Sequence, residues 1–389
     1  MRSPVDLSEA RPRSATGGSR LRIVMIAAGV FEYTIELVNA LSQRHDVDFL
    51  VPGNRFGHLV WAVHPRVRLH MLDWPRHRDP RSLFFAMRLA RIIERWRPDI
   101  IHFQCGQVWL NLLMPLLDQH TFVMTVHDVL PHVGDQESRK IPEWIGAFTI
   151  RHAHRLITHG ERLRVALADR HHIPLDRIDV IPHGVLSFYR RLLPSPNGNT
   201  SQATGRAEVL FFGRIYTYKG LEYLIRAQPK ITRAVPEARI VIAGRGEAFD
   251  KYAAMLPDPE KFVIYNEYIP NRQVAELFDR AAVVVLPYIG GSQSGVLQIA
   301  YAFGKPVVAT RVGSIEEAVD DGLTGRLVPP GDADALADAI IALLRDPARR
   351  ATMRQHIAQQ VATRFAWSHI AEATERTYRR AIAYRSGLL

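Results

Sequence analysis

Ser292–Thr310 reads SQSGVLQIAYAFGKPVVAT: small and amide residues, then an apolar run too long for one strand, a break at Gly304-Lys305-Pro306, and a β-branched segment. Glycine and the position before proline both end helices, so the stretch predicts a helix, a turn and a strand. A helix that feeds directly into a β-branched strand is the repeating unit of a parallel sheet with crossover helices. The bare backbone ahead of that helix suggests a ligand. N–H groups at a helix start attract anions, and residues as small as Ser292, Ser294 and Gly295 let a ligand approach the main chain.

The alternation continues outward from this stretch. Upstream lie EVLFFG (208–213), a helix over 220–234, RIVIAG (239–244), a helix over 248–256, FVIYN (262–266), a helix over 271–281 and VVVLPY (283–288). Downstream, Ser314 and Glu317 have the spacing of a capping box, and Asp332 is placed to cap ADALADAIIALLRD. The first half shows the same grammar. RIVMIAA (22–28), DVDFLVP, DIIHFQ, FVMTVHD, RLITHG and IDVIPHG are strands, and helices are clearest over 33–43, 81–96 and 161–171. Between the halves SPNGNTSQATG is polar and turn-rich.

The predicted fold is therefore α/β: two doubly wound Rossmann-like domains facing a central cleft. The boundaries read as a disordered tail (1–20), an N-terminal domain (21–186), a linker (187–207) and a C-terminal domain (208–365). A final helix (366–389) packs back on the first domain.

At 389 residues, 47% apolar and 23% charged, the chain suits two globular domains. It has no apolar run of membrane-spanning length, and its polar first 20 residues lack the core of a secretory signal. A single cysteine, Cys105, excludes internal disulfides and sulfur-rich metal sites and fits a reducing, cytoplasmic setting. The net charge of +11 calls for an anionic partner. No basic block, arm or zinc-finger spacing points to nucleic acid. Arg81, Arg88, Arg91 and Arg95 line one face of helix 81–96, which suits a peripheral contact with an anionic membrane face or simple solvation.

In a doubly wound sheet, ligands bind in loops just after strands. The loop from Gly213 carries Arg214 and Lys219, five residues apart. The loop from Gly244 carries Arg245, and the third loop is the opening stretch. A guanidinium fork and a compact ammonium beside exposed amides make a cradle for a diphosphate. In the first half, His127 and Asp128 follow a strand, where an imidazole can orient a hydroxyl or move a proton. Glu32, beyond the first strand, is a candidate acceptor contact.

FFGRIYTYKG, IPHG, TVHD and the run from Ser292 to Asp332 together resemble a family 4 retaining glycosyltransferase (glycosyl transferase group 1) of the GT-B fold. The likeness extends from about residue 21 and is densest over 209–332. It implies a hexosyltransferase-type enzyme that takes a nucleotide-diphosphate sugar as donor and needs neither metal nor cofactor. The acceptor would be a glycan, a lipid-linked sugar or a small molecule. Position by position, Arg214 and Lys219 match the pair that holds the diphosphate. Ser294, Gly295 and Val296 match the helix start at the distal phosphate. Tyr268 and Ile269 match the strand end beside the base, His127 the histidine near the sugar, and Gly29 and Val30 the first loop.

The family also carries two glutamates eight positions apart, at what are here Gly291 and Ile299. Neither offers a carboxylate. Gln293 and Gln298 are the neighbouring residues able to take over hydrogen bonds to sugar and ribose. Two DxD spellings, Asp46-Val47-Asp48 and Asp332-Ala333-Asp334, fall at a strand start and a helix cap, not in loops after strands. Two other readings are a related epimerase or phosphorylase, and a non-catalytic sugar-nucleotide or polyanion-binding subunit.

Overall fold

The computed structural model describes residues 20–75, 79, 81–104, 113–129, 143–193 and 207–388. The chain divides into two compact units. Unit 1 holds the described residues up to Val129, those from 143 to Pro182, and those from Trp367 onward. Unit 2 runs from His183 to Ala366.

Unit 1 is built on seven described strands: β1 (Arg22–Ile26), β2 (Asp46–Pro52), β3 (Arg68–Leu72), β4 (Ile100–Phe103), β5 (Thr121–Thr125), β6 (Arg155–Thr158) and β7 (Ile178–Val180). They form one sheet in the order β3-β2-β1-β4-β5-β6-β7. Every pairing is parallel; Ile23 of β1 lies opposite Val47 on one side and Ile100 on the other. Its central strands read as unbroken apolar runs because helices cover both faces of such a sheet. The last helix, Trp367–Arg385, returns to pack against helix Phe31–Leu41 and strands β5 and β6. Ion pairs from Arg44 to Glu372 and from Arg380 to Asp179 tie it down at its exposed edge.

Unit 2 repeats the design with β8 (Glu208–Phe212), β9 (Arg239–Ala243), β10 (Phe262–Tyr265), β11 (Val283–Leu286), β12 (Val307–Thr310) and β13 (Gly325–Val328). The order is β10-β9-β8-β11-β12-β13, again all parallel. Its core joins Val209, Phe211 and Ile242 of the sheet to Leu224, Ile225, Ile340 and Leu343 of the covering helices. The opening stretch forms helix Gly295–Ala302 and strand β12, as its sequence requires. In each sheet the chain order reverses at one place, between β1 and β4 in unit 1 and between β8 and β11 in unit 2. The carboxyl ends of those strands mark where a doubly wound sheet binds ligands.

Several local expectations need correction. Ser314 does not cap its helix: its hydroxyl goes to the Glu317 carboxylate, 3.3 Å away, and the helix is one turn, Ile315–Ala318. The helix expected over 248–256 is only Asp250–Ala253. The linker does not begin at 187. Ser187–Leu192 is a 3₁₀ turn whose Phe188 and Tyr189 are buried, and residues from His183 on belong to unit 2. Strands β3 and β13 were not expected. Asp332 does cap its helix, accepting from the Ala335 N–H at 2.9 Å. Cys105, the tail and residues 194–206 lie outside the described residues. Among the described residues no helix is long and apolar enough to cross a membrane.

Candidate active site

Backbone bonds and close glycine approaches draw three loops of unit 2 together. Gly244 has φ +144°, and a Cβ there would stand 1.8 Å from the Gly213 carbonyl oxygen. A Cβ on Gly246 would stand 2.0 Å from the Ile215 oxygen. Ile215 N–H donates to the Arg245 carbonyl at 3.0 Å, and Glu247 N–H donates to the Ile215 carbonyl at 2.8 Å. On the other side Gly220, at φ +66°, puts its would-be Cβ 1.9 Å from the Pro287 oxygen, while Ile289 N–H donates to Tyr218. Only glycine allows these approaches. The loops after β8, β9 and β11 thus meet at the place where the strand order reverses.

The cations expected there are present. Lys219 is buried, and its ammonium rests 3.8 Å from the centre of the Tyr288 ring, a cation–π contact. Tyr288 is itself buried, and its hydroxyl shares a 3.1 Å hydrogen bond with the Ser294 hydroxyl. A chain of contacts therefore runs from Lys219 to the cap position of helix Gly295–Ala302. Arg214 is exposed, its guanidinium over the Tyr216 ring at 5.5 Å and 3.4 Å from the Tyr218 hydroxyl. The Ser294 side chain does not cap the helix, so its first-turn N–H groups stay available. Val296 stands against Gly213: a Cβ on the glycine would lie 3.5 Å from its Cγ2.

Tyr268 is 58% exposed and lies under the Arg245 guanidinium at 5.9 Å. Ile269 beside it is buried. The glutamate positions are lost in backbone as well as side chain. Gly291 has φ +145°, which disfavours any residue with a Cβ, and Ile299 is buried. The amide oxygens of Gln293 and Gln298 are both buried without a hydrogen-bond partner among the described residues, and Gln298 is only 2% exposed. On a helix the Gln298 side chain leans over Ser294 and Gly295, toward the helix start.

In unit 1 the loop after β1 enters helix Phe31–Leu41 through Val30, held at φ 48°, a strained geometry for a β-branched residue. Its carbonyl accepts from both the N–H and the hydroxyl of Thr34. Gly29 has open space around it, and Glu32 is half-buried in the first helical turn. His127 follows β5 and is buried. Its Nε2 is 3.0 Å from Gln104 Oε1 and its Nδ1 is 3.0 Å from His159 Nε2. Asp128 is exposed and adds a favourable charge near His159. Gln104 and His159 were not anticipated. Their one sequence signal is a polar residue directly after an apolar strand, at "HFQ" and "ITHG". Nor was Tyr288, the ring under Lys219.

Both DxD pairs have structural employment. Asp48 binds Arg68 and His70, Asp46 binds Arg20, Asp332 is the helix cap and Asp334 binds Lys230. No cluster of three metal-ligating side chains occurs among the described residues.

Known proteins match this chain in sequence and in fold. The family described as Glycosyltransferase Family 4 matches residues 27–185, and the one described as Glycosyl transferases group 1 matches 206–346. A D-inositol 3-phosphate glycosyltransferase of Mycobacterium avium is 32% identical over 303 residues, covering 73% of this chain and 70% of the relative. The chain belongs to glycosyltransferase family 4. A Methanocaldococcus jannaschii glycosyltransferase is 25% identical over 363 residues, 86% of this chain and 90% of its own. Among solved structures, the Anabaena protein HepE in complex with UDP superposes with a TM-score of 0.68 at 17% identity, covering 92% of this chain and all of HepE. A sucrose-phosphate synthase from Thermosynechococcus elongatus gives 0.71 at 20% identity, over 94% of this chain and 100% of that one. These likenesses establish the GT-B fold, and the enzyme is a glycosyltransferase.

Proposed function

We propose that this glycosyltransferase moves a sugar from a nucleoside-diphosphate sugar to a glycan, glycolipid or small-molecule acceptor, with retention of configuration and without a metal ion. The observation that carries the reading is the gathering of Arg214, Lys219 and the uncapped start of helix Gly295–Ala302 by glycine-tight loops. Breaking a sugar–phosphate bond leaves negative charge on the departing diphosphate. A buried ammonium, a guanidinium fork and oriented amides stabilise that charge at no reorganisation cost, the effect that contributes most in such reactions. That HepE was crystallised with UDP and with UDP-glucose supports a nucleotide-sugar donor. The structural employment of the DxD aspartates supports cationic side chains in place of a metal. Retention follows the family. Tyr268, Ile269 and Arg245 border the base, and Gln293 and Gln298 take the hydroxyls. Gly29 and Val30 shape the first loop of unit 1. His127 is the acid–base group for the sugar, with Asp128 beside it, and Glu32 is assigned to the acceptor.

A peripheral contact with anionic lipid on the cytoplasmic face fits helix Arg81–Trp96. Leu89, Ile92 and Trp96 are buried, whereas Phe84 is 72% exposed beside exposed Leu83 and Met87. Exposed Arg88, Arg91 and Arg95 surround these apolar side chains and make no ion pair among the described residues.

A thermal-shift screen of UDP-, GDP-, ADP- and dTDP-sugars with chelator present tests the donor reading. A ligand at 100 times its dissociation constant adds about 2.7 kcal/mol of stability. One nucleotide sugar is expected to stabilise the wild type and to lose its effect in Arg214→Ala/Lys219→Ala. Stabilisation that survives the double substitution, or none with any donor, overturns the reading.

A further inference from the structure

Three imidazoles and one amide form a continuous buried chain at the carboxyl ends of β4, β5 and β6. His159 Nδ1 is 3.0 Å from the Ile181 carbonyl oxygen, and its Nε2 is 3.0 Å from His127 Nδ1. His127 Nε2 is 3.0 Å from Gln104 Oε1, and Gln104 Nε2 is 3.3 Å from His102 Nε2. His102 is closed off by the Tyr378 hydroxyl at 2.7 Å and the Thr125 hydroxyl at 2.8 Å. The Tyr33 ring stands edge-on to two of the imidazoles, 5.0 Å from His127 and 5.2 Å from His159, and fixes their planes.

The proton positions follow from one end of this chain. A carbonyl can only accept, so His159 carries its proton on Nδ1. Burial lowers the His159 pKa to about 4, which leaves its Nε2 bare. That nitrogen is then an acceptor, and His127 must donate from Nδ1. We infer that His159 is a positioning residue: it locks His127 in the Nδ1–H tautomer and leaves Nε2 as the one ring nitrogen of His127 that gains and loses a proton.

Gln104 completes the device. When His127 is an imidazolium, Nε2–H donates to Gln104 Oε1 across the 3.0 Å contact. When His127 is neutral, Nε2 is a lone pair. The amide then turns to donate its NH₂, giving up the bond from its Nε2 to Met25 Sδ and directing its oxygen toward His102 Nε2. The proton leaves or arrives at one defined atom, and no second tautomer competes for it. This inference rests on the acid–base role proposed for His127, yet its first readout is independent of that role.

The test combines histidine-selective ¹⁵N NMR with transfer kinetics on the full chain. The His127 resonances are assigned with His127→Gln. In the wild type, neutral His127 is expected to show a protonated Nδ1 and a bare Nε2, the reverse of the form an unrestrained imidazole prefers. His159→Leu should release it to a mixture and lower kcat by about 100-fold, the scale of a general acid–base contribution, with KM little changed. His159→Gln places an amide oxygen near the lost Nε2 and should restore both the tautomer and most of kcat. A proton on Nε2 of neutral wild-type His127 refutes the inference, even if His159→Leu does not fold. So does His159→Leu with unchanged tautomer and kcat. If His127→Gln keeps full activity, the acid–base reading falls, while the tautomer measurement still decides the positioning role.

Discussion

Lys305, the lysine of the Gly-Lys-Pro break, is 3% exposed, and its ammonium donates to the Asp279 carbonyl at 2.7 Å. It sits where three helices end. Arg190 donates to Ala302 at 3.3 Å, and Arg350 donates to Leu343 and, at 2.8 Å, to Leu344. Cations at carbonyl-rich helix ends are locally favourable. Burial nevertheless lowers the Lys305 pKa from 10.5 to about 8, and Arg354, Arg190 and Arg350 push it the same way against Asp279. Between these two values the unfolded chain holds a proton that the folded chain has released, so stability rises with pH across that window. At 1.36 kcal/mol per unit the rise amounts to about 3 kcal/mol. The assay is urea unfolding of wild type and Lys305→Met at pH 7.5, 9 and 10.5, followed by intrinsic fluorescence. Buried tyrosines whose pKa is raised, such as Tyr33 and Tyr301, are common to both proteins and cancel in the difference. The wild type should gain about 3 kcal/mol relative to the variant between the first and last pH. Parallel curves, or a difference of opposite sign, would refute the burial argument.

Three further outcomes are expected. Gln298→Leu removes a buried amide oxygen that has no partner. The ligand-free enzyme should gain about 1–2 kcal/mol in thermal or urea unfolding while nucleotide-sugar affinity falls by roughly tenfold; a less stable variant with unchanged affinity contradicts the assignment. Gly246→Ala forces a methyl group into the Ile215 carbonyl and should part the loops, costing about 2 kcal/mol or more and abolishing the nucleotide-induced thermal shift. Arg88→Glu/Arg91→Glu/Arg95→Glu should abolish sedimentation with phosphatidylserine vesicles, at about 1 kcal/mol per residue, and Phe84→Ser should weaken it. Circular dichroism should stay unchanged, and equal binding to neutral vesicles would count against the charge argument.

What the sequence made legible was whatever depends on side-chain periodicity. β11 is wholly apolar, β1 and β8 are apolar behind one leading charged residue, and β2 is apolar but for Asp46 and Asp48; the ends of β8 and β11 place Arg214, Lys219 and the Ser294–Val296 loop by counting. β3 escaped because its RLHML is an edge strand carrying a buried His70 that answers Asp48, so polarity masked a core position. β13 is only four residues, and its Gly325 closes against Val307. Ser314 had the spacing of a cap but not the geometry, since a one-turn helix leaves its hydroxyl to Glu317. Gln104, His159 and Tyr288 were hidden for a different reason. Each acts through a partner on a neighbouring strand or loop, and such pairings arise only when the sheet assembles. The orphaned oxygens of Gln293 and Gln298 are likewise properties of burial, which residue order does not disclose.

The return of helix Trp367–Arg385 to unit 1 has a consequence for how the protein is made. Synthesis runs from the N-terminus, so all seven strands of the first sheet leave the ribosome well before the helix that covers β5 and β6. The His183–Ala366 part of unit 2 can finish folding in the interval. Only then does Tyr378 arrive to close His102, and Trp367 to stand against Tyr33. A nascent or truncated chain ending at Ala366 therefore holds the gathered loops of Arg214 and Lys219 but an open imidazole chain. In each molecule the loops of unit 2 can therefore be in place before the imidazole chain of unit 1, which the final nineteen-residue helix completes.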